Sequence, residues 1–154
     1  MQQAGGKSHR ADVTRRFATF FIEETQLGVD IARVQEINEE PAVTKVPLAR
    51  DYVRGIMNLR GQIITIIDLR RKMGFTGTAP GEDKPGLVIV NWNGEQVGLL
   101  FDRIGEVIEA AVTDIEGAPA NICGTRGEFF QGVLTTGKQR IVALLDIDVV
   151  LADD

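Results

Sequence analysis

The sequence of 154 residues contains one cysteine and one histidine. A lone Cys123 forms no intramolecular disulfide, which fits a reducing compartment, and supplies no thiolate cluster for a metal. His9 lies in a polar N-terminal segment, where no fold would hold its imidazole beside a nucleophile. These absences argue against catalytic triads, cysteine–histidine dyads and zinc sites. We expect no enzyme activity, no catalytic residues, no cofactor and no metal.

Long apolar segments and an excess of basic charge are also missing. No run reaches the roughly 20 apolar residues of a membrane span, and no apolar stretch follows the N-terminal basic residues as in a signal peptide. The 17 lysines and arginines face 22 aspartates and glutamates, so the net charge is −5. A broad basic surface is therefore disfavoured. The sequence predicts a cytoplasmic protein that binds no nucleic acid and does not insert into membranes.

Short strands separated by turns are what the chain does contain. Its 17 glycines are spread along the sequence, as expected for many turns. Asn93-Gly94, between two apolar runs, predicts a type I′ hairpin, and Arg60-Gly61 predicts a second tight turn. Asp68 precedes a short segment with the composition of a capped helix. We predict an all-β protein with short helical turns.

An internal repeat is the most informative pattern. Residues 27–37 align with 97–107 at a shift of 70, and residues 62–69 align with 140–147 at a shift of 78. The two matches occur in the same order, which favours duplication over chance similarity. Each half has roughly 60 residues, the size of a small β-barrel and marginal alone, so we expect a shared apolar interface with a groove.

Domain boundaries follow from these patterns. We predict a disordered tail over residues 1–16 and one folded region over residues 17–151. The first barrel would span about 17–80 and the second about 86–147, with crossing of terminal segments between them left open. The glycine- and proline-rich stretch 76–86 is the linker candidate.

Two charged residues are candidates for contact with a partner. Glu36 lies between Val34 and Ile37, and the repeat places Glu106 in an equivalent apolar setting. A fixed charge on an apolar binding edge and a solvent-facing residue of an ordinary strand both explain this pattern. Arg60 decorates a turn, but a guanidinium held near Glu36 would orient a contact surface.

Three motifs carry a family resemblance. They are Gly28-Val-Asp-Ile-x-x-Val-Gln-Glu-Ile37, Tyr52-Val-x-Gly55-Ile-x-Asn-Leu-Arg-Gly61 and Ile66-Ile-Asp-Leu-Arg70. In this order and spacing they resemble the CheW family of bacterial chemotaxis coupling proteins. The resemblance runs from about Phe17 to Leu151, with no receiver or kinase domain appended.

The resemblance implies a fold, a function and partners. It implies two SH3-like five-stranded β-barrels packed together. It also implies a non-catalytic adaptor that joins the cytoplasmic tip of chemoreceptors to the regulatory domain of the histidine kinase CheA, itself similar to CheW. The adaptor would lie in receptor arrays at the inner face of the membrane, and self-association in rings is allowed. The predicted partner-binding residues, taken from matched family positions and the Asn-Leu-Arg-Gly motif, are Val34, Glu36, Ile37, Gly55, Asn58, Leu59, Arg60 and Gly61.

Two other functions stay open on the residues alone. One is an adaptor of a parallel chemosensory pathway, such as surface motility. The other is a small hydrolase with two carboxylates as general acid and base, which predicts a deep pocket lined by acids. For the adaptor, our hypothesis is that the groove between the barrels takes the receptor tip and the exposed end of the first barrel takes the kinase domain.

Overall fold

The computed structural model describes residues 13–39, 41–47, 49–75, 85–122, 125–137 and 140–152. In its first half the strands are β1 (Thr14–Ile22), β2 (Thr25–Asp30), β3 (Val34–Asn38), β4 (Val53–Leu59) and β5 (Gln62–Asp68). In its second half they are β6 (Gly86–Trp92), β7 (Glu95–Phe101), β8 (Arg103–Ile104), β9 (Ile108–Ala111), β10 (Asn121–Ile122), β11 (Thr125–Arg126), β12 (Phe130–Thr135) and β13 (Ile141–Leu145).

The helices are short, as predicted. They are α1 (Leu69–Lys72), α2 (Ile147–Leu151) and the single 3₁₀ turns Ile31–Arg33, Val112–Asp114 and Gly127–Phe129. Each α-helix directly follows a strand and begins at an aspartate. The carboxylate of Asp68 accepts the N–H of Arg70 at 3.0 Å, and that of Asp146 accepts the N–H of Val149 at 3.2 Å. These caps satisfy backbone donors that a helix start leaves unpaired.

Two main sheets organise the described residues. Sheet I has the strand order β9-β1-β2-β13-β12, with the short β8 also pairing with β1. Sheet II has the order β3-β6-β7-β5-β4. Asn93 and Gly94 have φ of 51° and 77° between paired strands, which confirms the type I′ hairpin. The predicted all-β class with short helical turns is confirmed at this level.

The register of the strands confirms the internal repeat. In sheet I, β13 runs parallel to β2 with Leu144 opposite Gly28. In sheet II, β5 runs parallel to β7 with Ile66 opposite Gly98, the residues that the sequence alignment makes equivalent. The antiparallel hairpins match as well, since Gly28 faces Thr19 and Gly98 faces the corresponding residue of β6. The chain therefore builds one pairing scheme twice.

The two repeats exchange their hairpins. The hairpin β1–β2 of the first repeat pairs with β13 of the second, and the hairpin β6–β7 of the second pairs with β5 of the first. The sheets thus do not follow the expected barrel ranges 17–80 and 86–147. A sequence repeat reveals equivalent strands but not which copy supplies each partner, because both copies present the same apolar faces.

The first strand begins earlier than predicted. Thr14, Arg15 and Arg16 lie in β1, where the last two face Ala110 and Glu109 of β9. The tail boundary at residue 16 was therefore wrong for these positions. Their side chains are exposed, so the sequence lacks the apolar alternation that marks a half-buried strand. Residues 1–12, with His9, and most of the linker 76–86 lie outside the described residues.

Three apolar clusters hold the sheets. The largest is shared, because Phe20 and Leu27 of sheet I and Val88 and Leu99 of sheet II belong to it. Each sheet also has a small core on its other face. Phe17, Leu134, Val142 and Leu144 form that of sheet I. The core of sheet II is formed by Met57, Ile64, Ile66, Leu87 and Ile89. Burial of the shared face explains why two units of this size stay together.

Candidate partner-binding site

Glu36 and Arg60 form an ion pair at one end of sheet II. An Oε1 atom of Glu36 lies 2.6 Å from Nη1 of Arg60, and the two side chains are 24% and 72% exposed. Glu36 comes from β3 and Arg60 from the β4–β5 turn, which belong to opposite edges of the sheet. The sequence analysis left open whether Arg60 only decorates a turn or is held near Glu36, and the structure places the guanidinium beside Glu36. The pair presents a positioned cation and anion to solvent.

The turn that carries Arg60 is held from within. Arg60 and Gly61 have φ of 51° and 87°, so both lie in the left-handed region. The side-chain oxygen of Asn58 accepts the N–H of Gly61 at 3.0 Å. Leu59 packs against the small core that lies on the face of sheet II away from the shared core. Asn58, Leu59 and Gly61 therefore shape the turn that presents Arg60 to solvent.

Gly55 supports the same end of the sheet by close packing. It lies at a bulge in β4, and a Cβ atom there would be 2.1 Å from the carbonyl oxygen of Thr44. The absent side chain lets Thr44 pair with Ile56 through two backbone hydrogen bonds of 2.8 Å. Gly55 is buried, so its role is to admit this approach.

Val34 and Ile37 flank Glu36 on β3. Both are half-buried and pack against the shared core, opposite Val90 and Val88 of β6. Further along the same sheet, Ile63 of β5 is 62% exposed and faces Asn58 across the β4–β5 hairpin. We call Glu36, Arg60 and Ile63 the turn-end surface.

The sequence analysis expected a groove between the barrels but named no residue that would line it. A groove lies at the margin of the shared core. It measures about 410 Å³ and is bounded by strands of sheet II and the end of α2. Its lining includes Tyr52, Trp92, Ile67 and Leu151. Lys72 lies over the Tyr52 ring at 4.1 Å. We call this the aromatic groove. Aromatic residues at strand ends were its only signal, and the exchanged pairing that brings α2 beside sheet II could not be read from the sequence.

The second repeat fills the equivalent place. Tyr52 corresponds to Phe129, because their carbonyl oxygens accept the N–H of the equivalent Asp68 and Asp146, and Trp92 corresponds to Ile22 at the shift of 70. Phe129 and Ile22 are 7% and 0% exposed. In the first repeat the loop between Thr44 and Gly55 covers residues 45–54. In the second repeat the loop between Glu116 and Gly132 covers residues 117–131, which is five residues more. Side chains of this longer loop, among them that of Ile122, pack on the shared core.

A further ion cluster joins the two sheets. Arg70 of α1 contacts Glu23 in the β1–β2 turn at 2.5 Å and also Asp102 after β7. Its side chain is 13% exposed, and the backbone N–H of Glu23 donates to Asp102 at 2.7 Å. Basic residues at the end of a short helix usually lie in solvent. The difference arises because the β1–β2 hairpin comes to α1 from the partner sheet.

Two features are absent from the described ranges. No group of three histidine, cysteine, aspartate or glutamate side chains is placed to hold a metal ion among them. In the same residues no helix is long and apolar enough to cross a membrane.

Comparison with known proteins places the chain among chemotaxis proteins. Residues 16–154 match the family of CheW-like domains. The chain is 34% identical to the chemotaxis protein CheW of Treponema pallidum over 132 residues, covering 84% of this chain and 78% of that protein. It is 31% identical to the CheW of Helicobacter pylori, covering 98% and 90%.

A solved structure is similar over nearly the whole chain. The crystal structure of the scaffolding protein TtCheW from Thermoanaerobacter tengcongensis superposes with a TM-score of 0.83 at 27% identity. The match covers 95% of this chain and 93% of that one.

Proposed function

The chain belongs to the family of CheW-like domains, and on that premise we propose how its surfaces divide the work between two partners. It is a non-catalytic scaffolding protein of chemotaxis that couples receptors to the kinase CheA. Family membership decides against the small hydrolase. The relatives are named chemotaxis proteins, which favours chemotaxis over a parallel pathway.

The kinase regulatory domain docks on the turn-end surface. The observation that carries this assignment is the ion pair between Glu36 and Arg60, because it joins both edges of sheet II in one exposed patch. Ile63, exposed on the strand that follows the Arg60 turn, adds apolar area between this pair and the aromatic groove that it also lines. Charges of this kind set the register and selectivity of an interface, and buried apolar anchors supply most of its free energy.

The receptor tip docks in the aromatic groove, which strands of sheet II and the end of α2 line. A receptor tip of amphipathic helices would place apolar side chains between Tyr52 and Trp92, the usual geometry of a helix in a groove. Lys72 and Arg50 at the rim favour acidic residues on the helix. Because the receptor tip lies in the cytoplasm, this contact places the scaffold in the cytoplasm, within receptor arrays at the inner face of the membrane.

Each sheet closes into an SH3-like barrel. Support comes from the segments that follow the edge strands, because Thr44 pairs with Ile56 of β4 and Glu116 pairs with Val133 of β12. In each case a residue beyond one edge strand meets the strand at the other edge. The turn-end surface is then the exposed end of a barrel, and equivalent ends on both sheets would let copies associate in rings.

Charge reversal tests the turn-end surface. Glu36→Arg or Arg60→Glu should weaken co-purification with a CheA-type regulatory domain by about ten-fold while the far-ultraviolet circular dichroism stays unchanged. The double reversal restores the pair and should recover part of the binding. The matched control is Arg126→Glu, which breaks an exposed 3.3 Å pair with Glu128 on the other repeat. Unchanged binding in both single variants would refute the assignment.

Truncation tests the aromatic groove. Trp92→Ala should reduce capture of a receptor cytoplasmic fragment and leave most capture of the regulatory domain intact, because Trp92 lies outside the turn-end surface, although Ile63 of that surface also lines the groove. Ile141→Ala removes a side chain 58% exposed on sheet I and serves as the control. Equal receptor capture by Trp92→Ala and the native chain would contradict the groove as the receptor site.

A further inference from the structure

We propose that a hollow on sheet I binds a third kind of partner, an acidic peptide segment with an apolar side chain between its carboxylates. The hollow measures about 390 Å³ and lies apart from the turn-end surface and the aromatic groove. We call it the arginine hollow, and its lining is Phe21, Glu24, Gln26, Arg103, Arg140 and Ile141. The inference does not rest on either docking assignment above.

Arg103 forms one wall and is held in place by an aromatic ring. Its guanidinium carbon lies 3.9 Å from the centroid of Phe21, its neighbour across the β1–β8 pair. Stacking fixes the plane of the guanidinium, so less side-chain entropy is lost when a carboxylate binds. Glu24 approaches Arg103 only at 4.0 Å and is 98% exposed, so this contact is weak and readily exchanged.

Arg140 and Ile141 form the opposite side. The carbonyl oxygen of Arg140 accepts the N–H of Thr136 at 2.8 Å, which anchors its backbone at the start of β13. Ile141 is 58% exposed although β13 lies between two other strands of the sheet. An isoleucine left in solvent beside two arginines offers apolar contact between two cations.

Sheet II contains an equivalent hollow without the positive charges. Its lining includes Gln62 and Ile63, which the sequence alignment makes equivalent to Arg140 and Ile141. No lysine or arginine lines this second hollow, and Glu95 gives it a negative charge. The shape is therefore a property of the fold, whereas the positive charge belongs to one copy.

Charge complementarity selects the occupant. The chain carries a net charge of −5, yet two arginines and one exposed carboxylate line this hollow. An acidic segment is repelled by most of the surface and attracted here, which is how local charge directs a partner to one place. The exposed Ile141 adds a preference for an apolar side chain between the acids.

An NMR titration with a defined peptide tests the proposal. The probe is a capped peptide of sequence Glu-Glu-Leu-Glu-Glu, and the control peptide replaces every glutamate by glutamine. We expect the acidic peptide to perturb amide signals around Phe21, Arg103 and Ile141 and the neutral peptide to perturb none. Arg140→Gln, which installs the residue of the other repeat, and Arg103→Gln should each weaken binding about five-fold.

Gln62→Ala, in the equivalent hollow that lacks arginine, is the matched control and should leave the titration unchanged. Equal affinity for both peptides, equal affinity in the arginine variants, or perturbation elsewhere would overturn the proposal. Vesicles of anionic lipid that sediment with the native chain but not with Arg140→Gln, in the absence of peptide binding, would assign the charges to a membrane and overturn it too. Arg140→Gln should still capture the regulatory domain and the receptor fragment. Loss of either would assign the hollow to that partner.

Discussion

Sheet I and sheet II have one pairing scheme and different coverings. Gly28 against Leu144 in sheet I is repeated by Gly98 against Ile66 in sheet II. Yet in the second repeat Phe129 is buried where the first repeat leaves Tyr52 half-exposed. The repeated strand pairing builds the two sheets on which the stability of the molecule depends. Its function depends on where the copies differ.

The exchange of hairpins gives that comparison a physical consequence. Neither repeat contains a complete sheet, since each needs the other's hairpin for the middle of its sheet. The shared core also draws residues from both. A separate half would expose this core and leave strand edges unpaired, which short chains of this size cannot compensate.

Division of the chain between residues 80 and 81 should give the largest effect. We expect residues 1–80 and 81–154, expressed separately, to show no cooperative thermal unfolding, and their mixture to recover the native circular dichroism and unfolding transition. The physical reason is that each fragment contains the hairpin that the other requires. A cooperative monomeric transition in either fragment alone, measured by calorimetry and sedimentation, would show that the repeats are independent.

The glycines at the two strand bulges give a sharper test of the difference between the repeats, because the space for a Cβ atom differs between Gly55 and Gly132. A Cβ atom at Gly55 would lie 2.1 Å from the Thr44 carbonyl oxygen, whereas at Gly132 the closest backbone oxygen, of Glu116, is at 2.7 Å. Gly55→Ala should therefore lower the free energy of unfolding by about 3 kcal/mol or more, and Gly132→Ala by about 2 kcal/mol. Urea unfolding measures both. Equal losses of unfolding free energy would mean that the Thr44–Ile56 and Glu116–Val133 pairings tolerate displacement equally.

The sequence supported the prediction of local structure well, for identifiable reasons. Asn93-Gly94 supplies two positive φ angles, and Asp68 has a side chain that can cap a helix, so short-range chemistry determines both elements. The exchange of hairpins could not be predicted. It depends on which of two similar faces meets β5 and β13, a choice made by long-range packing and by the connections between the repeats.

The site was predictable to the same limited extent. A turn motif and a charge on an apolar strand singled out Arg60 and Glu36 as candidates, and the fold brings them together. Tyr52 and Trp92 carried no pattern that set them apart from core aromatics. The burial of Arg70 depends on contacts with Glu23, which the exchanged hairpin supplies from 47 residues away.

The two junctions that the α-helices make through ion pairs differ in burial. Arg70 pairs with Glu23 and Asp102 and is 13% exposed, whereas Arg33 pairs with Asp148 at 35% and 70% exposure. Arg70→Met leaves two neighbouring carboxylates without their cation and should cost about 2 kcal/mol. Arg33→Met should cost about 0.5 kcal/mol.

Thermal unfolding at low and at high salt checks this difference. The loss in Arg33→Met should shrink with added salt, because an exposed pair is screened. The loss in Arg70→Met should persist. A larger cost for Arg33→Met than for Arg70→Met would mean that burial does not distinguish the two junctions.

The smallest expected effect separates the two equivalent hairpin turns. Gly61 ends the β4–β5 turn with φ of 87°, and Gly137 lies in the β12–β13 turn without a positive φ. A Cβ atom added at either glycine would meet nothing within 4 Å beyond its chain neighbours, so sterics alone would permit alanine at both. Gly61→Ala should still cost about 1 kcal/mol, because the left-handed conformation is unfavourable for a residue with a side chain. Gly137→Ala should change the free energy of unfolding by less than about 0.5 kcal/mol, or raise it slightly by restricting the unfolded chain. Paired urea titrations resolve this difference, and equal costs would show that the positive φ of Gly61 is not what the β4–β5 turn requires.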